Sequence, residues 1–97
     1  MPSYLSLVSW TDQGVKAVKD SPSRLDAAKA AITAAGGRLI FFYMLMGEYD
    51  IAILTEFPDD EVATRFLLAQ SAAGNVRSMT LKAFQESEYR ELIASLP

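Results

Sequence analysis

Cysteine and histidine are both absent from the 97 residues. Without them the chain has no disulfide, no thiolate nucleophile, no Ser-His-Asp triad, and no zinc or haem ligation by either residue. A bound metal would need oxygen ligands and would therefore be a hard cation; the expectation is no metal and no cofactor. Positive charge is scarce as well: nine Lys and Arg against twelve Asp and Glu leave a net charge of −3. Only Lys16 and Lys19 lie close together, so no basic stripe can track a phosphate backbone and no nucleic-acid partner is expected. Long hydrophobic runs are also missing. The longest uncharged apolar run, Leu39 to Gly47, is far too short for a membrane helix. Met1-Pro2-Ser3-Tyr4 enters a strand pattern directly, with no basic leader. A cytoplasmic location without membrane contact is the expectation.

What is present is apolar. Hydrophobic residues make up 51% of the chain and mean hydropathy is +0.13, which excludes a disordered segment. A chain of this length buries roughly 65% of its unfolded surface, so one domain over 1–97 is expected.

Tyr4 to Trp10 alternates as a strand, with Leu5 and Leu7 on one face and Tyr4, Ser6, Val8 and Trp10 on the other. Thr11-Asp12-Gln13-Gly14 is a turn or a short helix capped by Thr11 or Asp12; Val15 to Asp20 is ambiguous. Ser21-Pro22 opens a helix that runs to Ala35, with Leu25, Ala28, Ile32 and Ala35 on its inward stripe. Gly36-Gly37 ends it. Arg38 to Met46 is a strand apolar on both faces, which requires cover on both. After Gly47-Glu48-Tyr49, Asp50 to Phe57 is a third strand. Pro58-Asp59-Asp60-Glu61 starts a second helix with acids at its positive end and Val62, Phe66, Ala69 and Ala73 inward. Gly74-Asn75 stops it, Val76 to Phe84 is the fourth strand, and Glu86 to Leu96 is an amphipathic helix with Tyr89, Leu92, Ile93 and Leu96 in line. This order predicts an α+β, ferredoxin-like βαββαβ antiparallel sheet with a C-terminal helix.

With Leu5 and Leu7 turned to the helices, the open sheet face receives Tyr4, Ser6, Val8 and Trp10. Asp50, Ala52, Leu54 and Glu56 join them from the third strand, and Ser78, Thr80 and Lys82 from the fourth. An apolar open face calls for a second copy of the chain, or for the C-terminal helix folded back over it.

Tyr4 to Trp10, Thr11-Asp12-Gln13-Gly14, Lys19-Asp20-Ser21-Pro22, Arg24, Gly47-Glu48-Tyr49-Asp50 and Gly74-Asn75-Val76-Arg77 together resemble the GYD domain family. The resemblance implies a ferredoxin-like fold of the dimeric α/β barrel type and no particular reaction. Gly47 to Asp50 and Gly74 to Thr80 also resemble, more weakly, the effector-binding domain of leucine-responsive regulators, which binds small effectors at subunit interfaces. The DNA-binding half of those regulators has no counterpart here.

The candidate ligand-binding residues are Tyr4, Trp10 and Tyr43 as an aromatic wall, Glu56 and Lys82 as a pair meeting across the sheet, and Arg77 as a carboxylate clamp. Gly47, Glu48, Tyr49 and Asp50 read as a structural turn, in which Gly47 takes a positive φ and Asp50 bonds local amides. Arg24 and Asp26 read as a surface or local pair. The leading functional expectation is a homo-oligomeric module that binds a small organic ligand. The alternatives are a cofactor-free enzyme of the dimeric α/β barrel type and a purely structural self-assembling protein.

Overall fold

The computed structural model describes all of residues 1–97. Strand β1 (Ser3–Trp10) leads through a short helix α1 (Asp12–Lys16) and a 3-10 turn (Val18–Asp20) into α2 (Ser21–Ala34). Strands β2 (Arg38–Met44) and β3 (Ile51–Glu56) follow, then α3 (Asp60–Ala72), β4 (Val76–Ala83) and α4 (Glu86–Ala94). The strands form one sheet in the order β2-β3-β1-β4, antiparallel throughout. With α2 and α3 as its crossovers, this is the ferredoxin-like arrangement. No helix is long and apolar enough to cross a membrane.

Local chemistry explains the helix ends. Thr11, rather than Asp12, caps α1: its hydroxyl accepts the Gly14 N–H at 3.1 Å. Asp59 caps α3 by accepting the Val62 N–H at 2.9 Å, and Asp60 and Glu61 follow in the first turn, where carboxylates complement the helix dipole.

The packed core sits at one end of the helix layer. Tyr4, Ile32, Phe57, Ala63 and Phe66 form it, with Ala28, Ala35, Leu39, Val62 and Leu67 packed around. Phe57 anchors it, with ring centroids 6.1 Å from Tyr4 and 5.3 Å from Phe66, distances at which tilted aromatic rings attract. In α3 the buried positions are Ala63 and Phe66, while Ala69 and Ala73, expected inside, are exposed. Both helices present small residues to the sheet, so alanine spacing alone did not phase this one.

The face of β1 is the main correction. Tyr4, Ser6 and Val8 are buried beneath the helices, and Leu5 and Leu7 lie on the open face. β1 carries apolar residues in both phases, so hydrophobicity cannot choose between them. Its polar atoms decide. The Tyr4 hydroxyl donates to Asp60 at the start of α3, and Ser6 Oγ pairs with Thr80 Oγ1 at 2.7 Å, so the hydroxyls turned inward are satisfied there. Paired residues share a face. The register Val8↔Ser78, Ser6↔Thr80 and Tyr4↔Lys82 therefore takes Ser78, Thr80 and Lys82 to the helix side as well.

In β2 the pairing shifts between Leu39 and Phe41. This bulge at Ile40 breaks the expected alternation. Leu39, Phe42 and Met44 face the helices, through their partners Thr55, Ile53 and Ile51, whereas Phe41 and Tyr43 join Leu54 and Ala52 on the open face. That face also holds Met79 and Leu81, 44% and 47% exposed. Helix α4 does not cover it: Tyr89, Leu92, Ile93 and Leu96 are all at least half exposed.

Candidate functional site: a cleft between the helices and the sheet

Beside the packed core, the space between helices and sheet is hollow. The cleft has a volume of about 100 Å³, and twelve of its seventeen lining residues are hydrophobic. Val8 and Trp10 of β1 make its floor with Phe42, Ile51 and Ile53; Leu25, Ala28 and Leu67 lie opposite on α2 and α3. The hollow follows from α2 carrying Ala28 where Leu25 and Ile32 flank it on the same stripe. A side chain ending at Cβ cannot reach the sheet.

Polar groups gather toward one end. Ser21, Arg24, Gln70 and Ser78 line the cleft, and Arg24, Gln70 and Val76 also line an adjoining depression with Ala73 and Asn75, which marks the mouth. Arg24 is the only charged residue of the lining. Its guanidinium donates to the Ala17 carbonyl at 3.0 Å and the Gly14 carbonyl at 3.2 Å. It makes no ion pair, neither with Asp26 nor with any other acid. Two of its five N–H donors are engaged and the rest remain for a ligand.

Two stretches brace this mouth. The Thr11 N–H donates to the Asn75 carbonyl at 3.1 Å and the Thr11 hydroxyl to the Gly74 carbonyl at 2.6 Å. The Gln13 amide reaches the Ala73 carbonyl and Asn75 Oδ1, each at 3.1 Å. Gly14 is buried against this contact, and a Cβ there would stand 2.0 Å from the Asn75 carbonyl oxygen. Only glycine admits the approach.

The Gly47–Asp50 turn stitches the sheet from the other side. Gly47 has φ +146°, Glu48 is exposed and Tyr49 half-buried. Asp50 binds β1 rather than its own turn: its carboxylate accepts the Trp10 N–H at 2.9 Å, and its N–H donates to the Val8 carbonyl at 2.9 Å. The acidic residue of this turn thus holds the backbone of the cleft floor.

Of the ligand-binding candidates, only Trp10 lines the cleft. Tyr4 lies in the packed core and Tyr43 stacks on Phe41 at 5.4 Å on the open face, so the aromatic wall does not form. Glu56 and Lys82 point to opposite faces and do not meet. Glu56 is buried and accepts from Arg38 at 3.0 and 2.5 Å and from Gln85 at 3.3 Å, while Lys82 pairs with Asp60 at 3.2 Å. Arg77 is exposed on the open face, opposite Ser9. The cleft residues missed in the sequence are Arg24, Gln70, Ser21 and Ser78. For Arg24 a signal existed: it sits three residues after Ser21 and four before Ala28, on the inward stripe.

The perturbed acid–base chemistry lies away from the cleft. Burial of its ring, then the bond to Asp60, pushes the Tyr4 hydroxyl up to about 12. The same bond and Lys82 hold Asp60 below the usual aspartate value. A phenol with that pKa is a fixed donor at neutral pH, not a base. No group of three or more acidic side chains gathers in a way that could hold a metal ion.

The GYD domain family model matches residues 4–93. The chain belongs to the GYD domain family. A Thermus thermophilus relative, named glutamine synthetase and cystathionine beta-lyase binding protein, is 29% identical over 97 residues, 99% of each chain. Among solved structures, the feast or famine regulatory protein of M. tuberculosis complexed with L-methionine superposes with a TM-score of 0.64 at 16% identity. The match covers 88% of this chain and 51% of the regulator, so the GYD chain spans about half of that protein. A crystal structure of a second Thermus thermophilus chain superposes with a TM-score of 0.55 at 22% identity, covering 88% of this chain and 95% of the other. At these identities the structural matches establish the shared fold. The cleft, the Thr11–Gly14 brace and the Asp50 stitch all lie inside the stretch the family model matches.

Proposed function

We propose that this GYD-domain chain is a homo-oligomeric small-molecule-binding module, with the ligand in the cleft beneath α2 and α3 and the open sheet faces joined. The observation that carries the reading is the cleft itself: apolar walls, with polar groups converging at its mouth around an arginine that has no acid partner. This is the chemistry of a small-ligand site. The lining favours binding over catalysis, because its one ionisable side chain, Arg24, stays protonated and cannot exchange protons with a substrate. It also weighs against a purely structural role, for which a filled interior suffices.

Trp10 is the only tryptophan and lies in the cleft floor, so its fluorescence reports occupancy. Titration with a panel of small carboxylates, amides and aromatics should give saturable changes with at least one class. A spectrum unmoved across the panel overturns the binding reading.

The Thermus relative's name favours a second reading, a docking protein for enzymes. The exposed stripe of Tyr89, Leu92 and Ile93 on α4 is the surface that would serve it. Charge substitution at Leu92 and Ile93 should then abolish capture of a purified glutamine synthetase or cystathionine beta-lyase and leave ligand titration at Trp10 unchanged.

A further inference from the structure

We infer that the cleft takes a small monocarboxylate with an uncharged apolar body, its carboxylate on Arg24 and its body against Ala28, Ile53 and Trp10, and that it discriminates against the corresponding α-amino acid. The inference rests on the cleft being the ligand site and names what enters it.

The charge count comes first. The lining contains one cation and no Asp, Glu or Lys. Arg24 is half-buried and its two hydrogen bonds go to neutral carbonyls, so its charge has no partner within the protein. A guanidinium fork matches a carboxylate in shape and hydrogen-bond spacing. A phosphate dianion would bring a second charge that no group here neutralises, into walls that are mostly apolar.

An α-ammonium group meets the opposite difficulty. It carries a full positive charge and needs an acceptor, preferably a carboxylate, once removed from water. The nearest polar groups are Arg24, itself positive, the neutral Gln70 and the hydroxyls of Ser21 and Ser78. Replacing the ammonium by hydrogen removes that penalty without changing the body. Size sets the last limit. A cavity of about 150 Å³ holds benzene; the cleft, at about 100 Å³ and open at its mouth, suits a branched aliphatic or single-ring body with the carboxylate at the opening.

The test compares ligands on the unmodified protein, following Trp10 fluorescence with calorimetry as a second readout. 4-Methylpentanoate and phenylacetate should bind at least about tenfold more tightly than their primary amides, the weight of one charge-assisted contact. They should likewise exceed leucine and phenylalanine, their bodies borne on an α-amino acid, by about tenfold or more. Arg24→Met should abolish the preference for acid over amide while leaving amide binding in place. Because Arg24 also ties down the Ala17 and Gly14 carbonyls, that variant loses local structure as well as charge, and the ligand comparisons on the native chain decide the matter by themselves. Amides that bind as tightly as the acids overturn the charge assignment but leave the cleft as a ligand site. Amino acids that bind more tightly than the des-amino acids overturn the discrimination. Failure of every ligand overturns both.

Discussion

Tyr4 shows how one side chain joins two parts of the molecule. Its ring fills the core beside Phe57 while its hydroxyl reaches the rim and donates to Asp60, which also holds Lys82. Raising the hydroxyl from 10.0 to about 12 means the folded state resists losing that proton. The stability it contributes is therefore complete below about pH 10 and is lost as pH rises toward 12. Asp60 acts in the opposite sense, its contribution being lost only as pH falls through its depressed value. Tyr4→Phe should lower stability by about 1 kcal/mol and flatten the alkaline limb of a denaturation series; a variant that retains the native decline above pH 10 contradicts this origin. Gly14 makes a harsher prediction. A Cβ 2.0 Å from a backbone oxygen forces α1 off the start of β4, and Gly14→Ala should cost about 3 kcal/mol, read as a drop in the denaturant midpoint.

At the scale of elements, α2 decides whether there is a cleft. Its inward stripe alternates reach and absence, Leu25 and Ile32 around Ala28, and the gap is the hollow. Ala28→Leu adds three carbons that can occupy it. We expect this variant to gain about 1 kcal/mol and to lose ligand-induced change at Trp10, a trade of function for packing; unchanged titration would place the ligand elsewhere. The element order, the caps and this stripe were legible in the sequence because each has a local cause: Thr11 before Gly14, Ser21-Pro22 at a helix start, a period near four along α2. The strand faces were not, because β1 and β2 are apolar in both phases. Their orientation depends on pairings distant in sequence, Ser6 with Thr80 and Tyr4 with Asp60, and on a bulge at Ile40 with no glycine to announce it. Arg24 was misassigned for a related reason. A charged residue on an inward stripe looks like local pairing until its neighbours prove to be carbonyls.

At the scale of the whole molecule, the chain is a slab of 52 × 31 × 18 Å, one helix layer on one sheet, with only 12 of 97 residues buried. Turning Leu5 and Leu7 outward makes the open face more apolar than the sequence pattern implied, which strengthens the case for a second layer. A copy of the same face supplies it, because a two-fold contact needs only one self-complementary surface and aligned sheets pack about 10 Å apart. Assembly of this kind links stability to concentration. The native chain should scatter light as a dimer or larger, and its melting temperature should rise over about a hundredfold increase in concentration. Leu7→Asp places a charge at the centre of the face, between Ala52 and Met79, and should yield monomers whose melting temperature no longer depends on concentration. Met79→Lys gives a second reading on edge strand β4, where the isolated chain already leaves the side chain exposed and can carry the charge without unfolding. A native chain that runs as a monomer at micromolar concentration, or a Met79→Lys variant that assembles as before, removes the sheet face as the joint. The cleft on the opposite side of the sheet would still stand as a ligand site, since no residue of its lining comes from the open face.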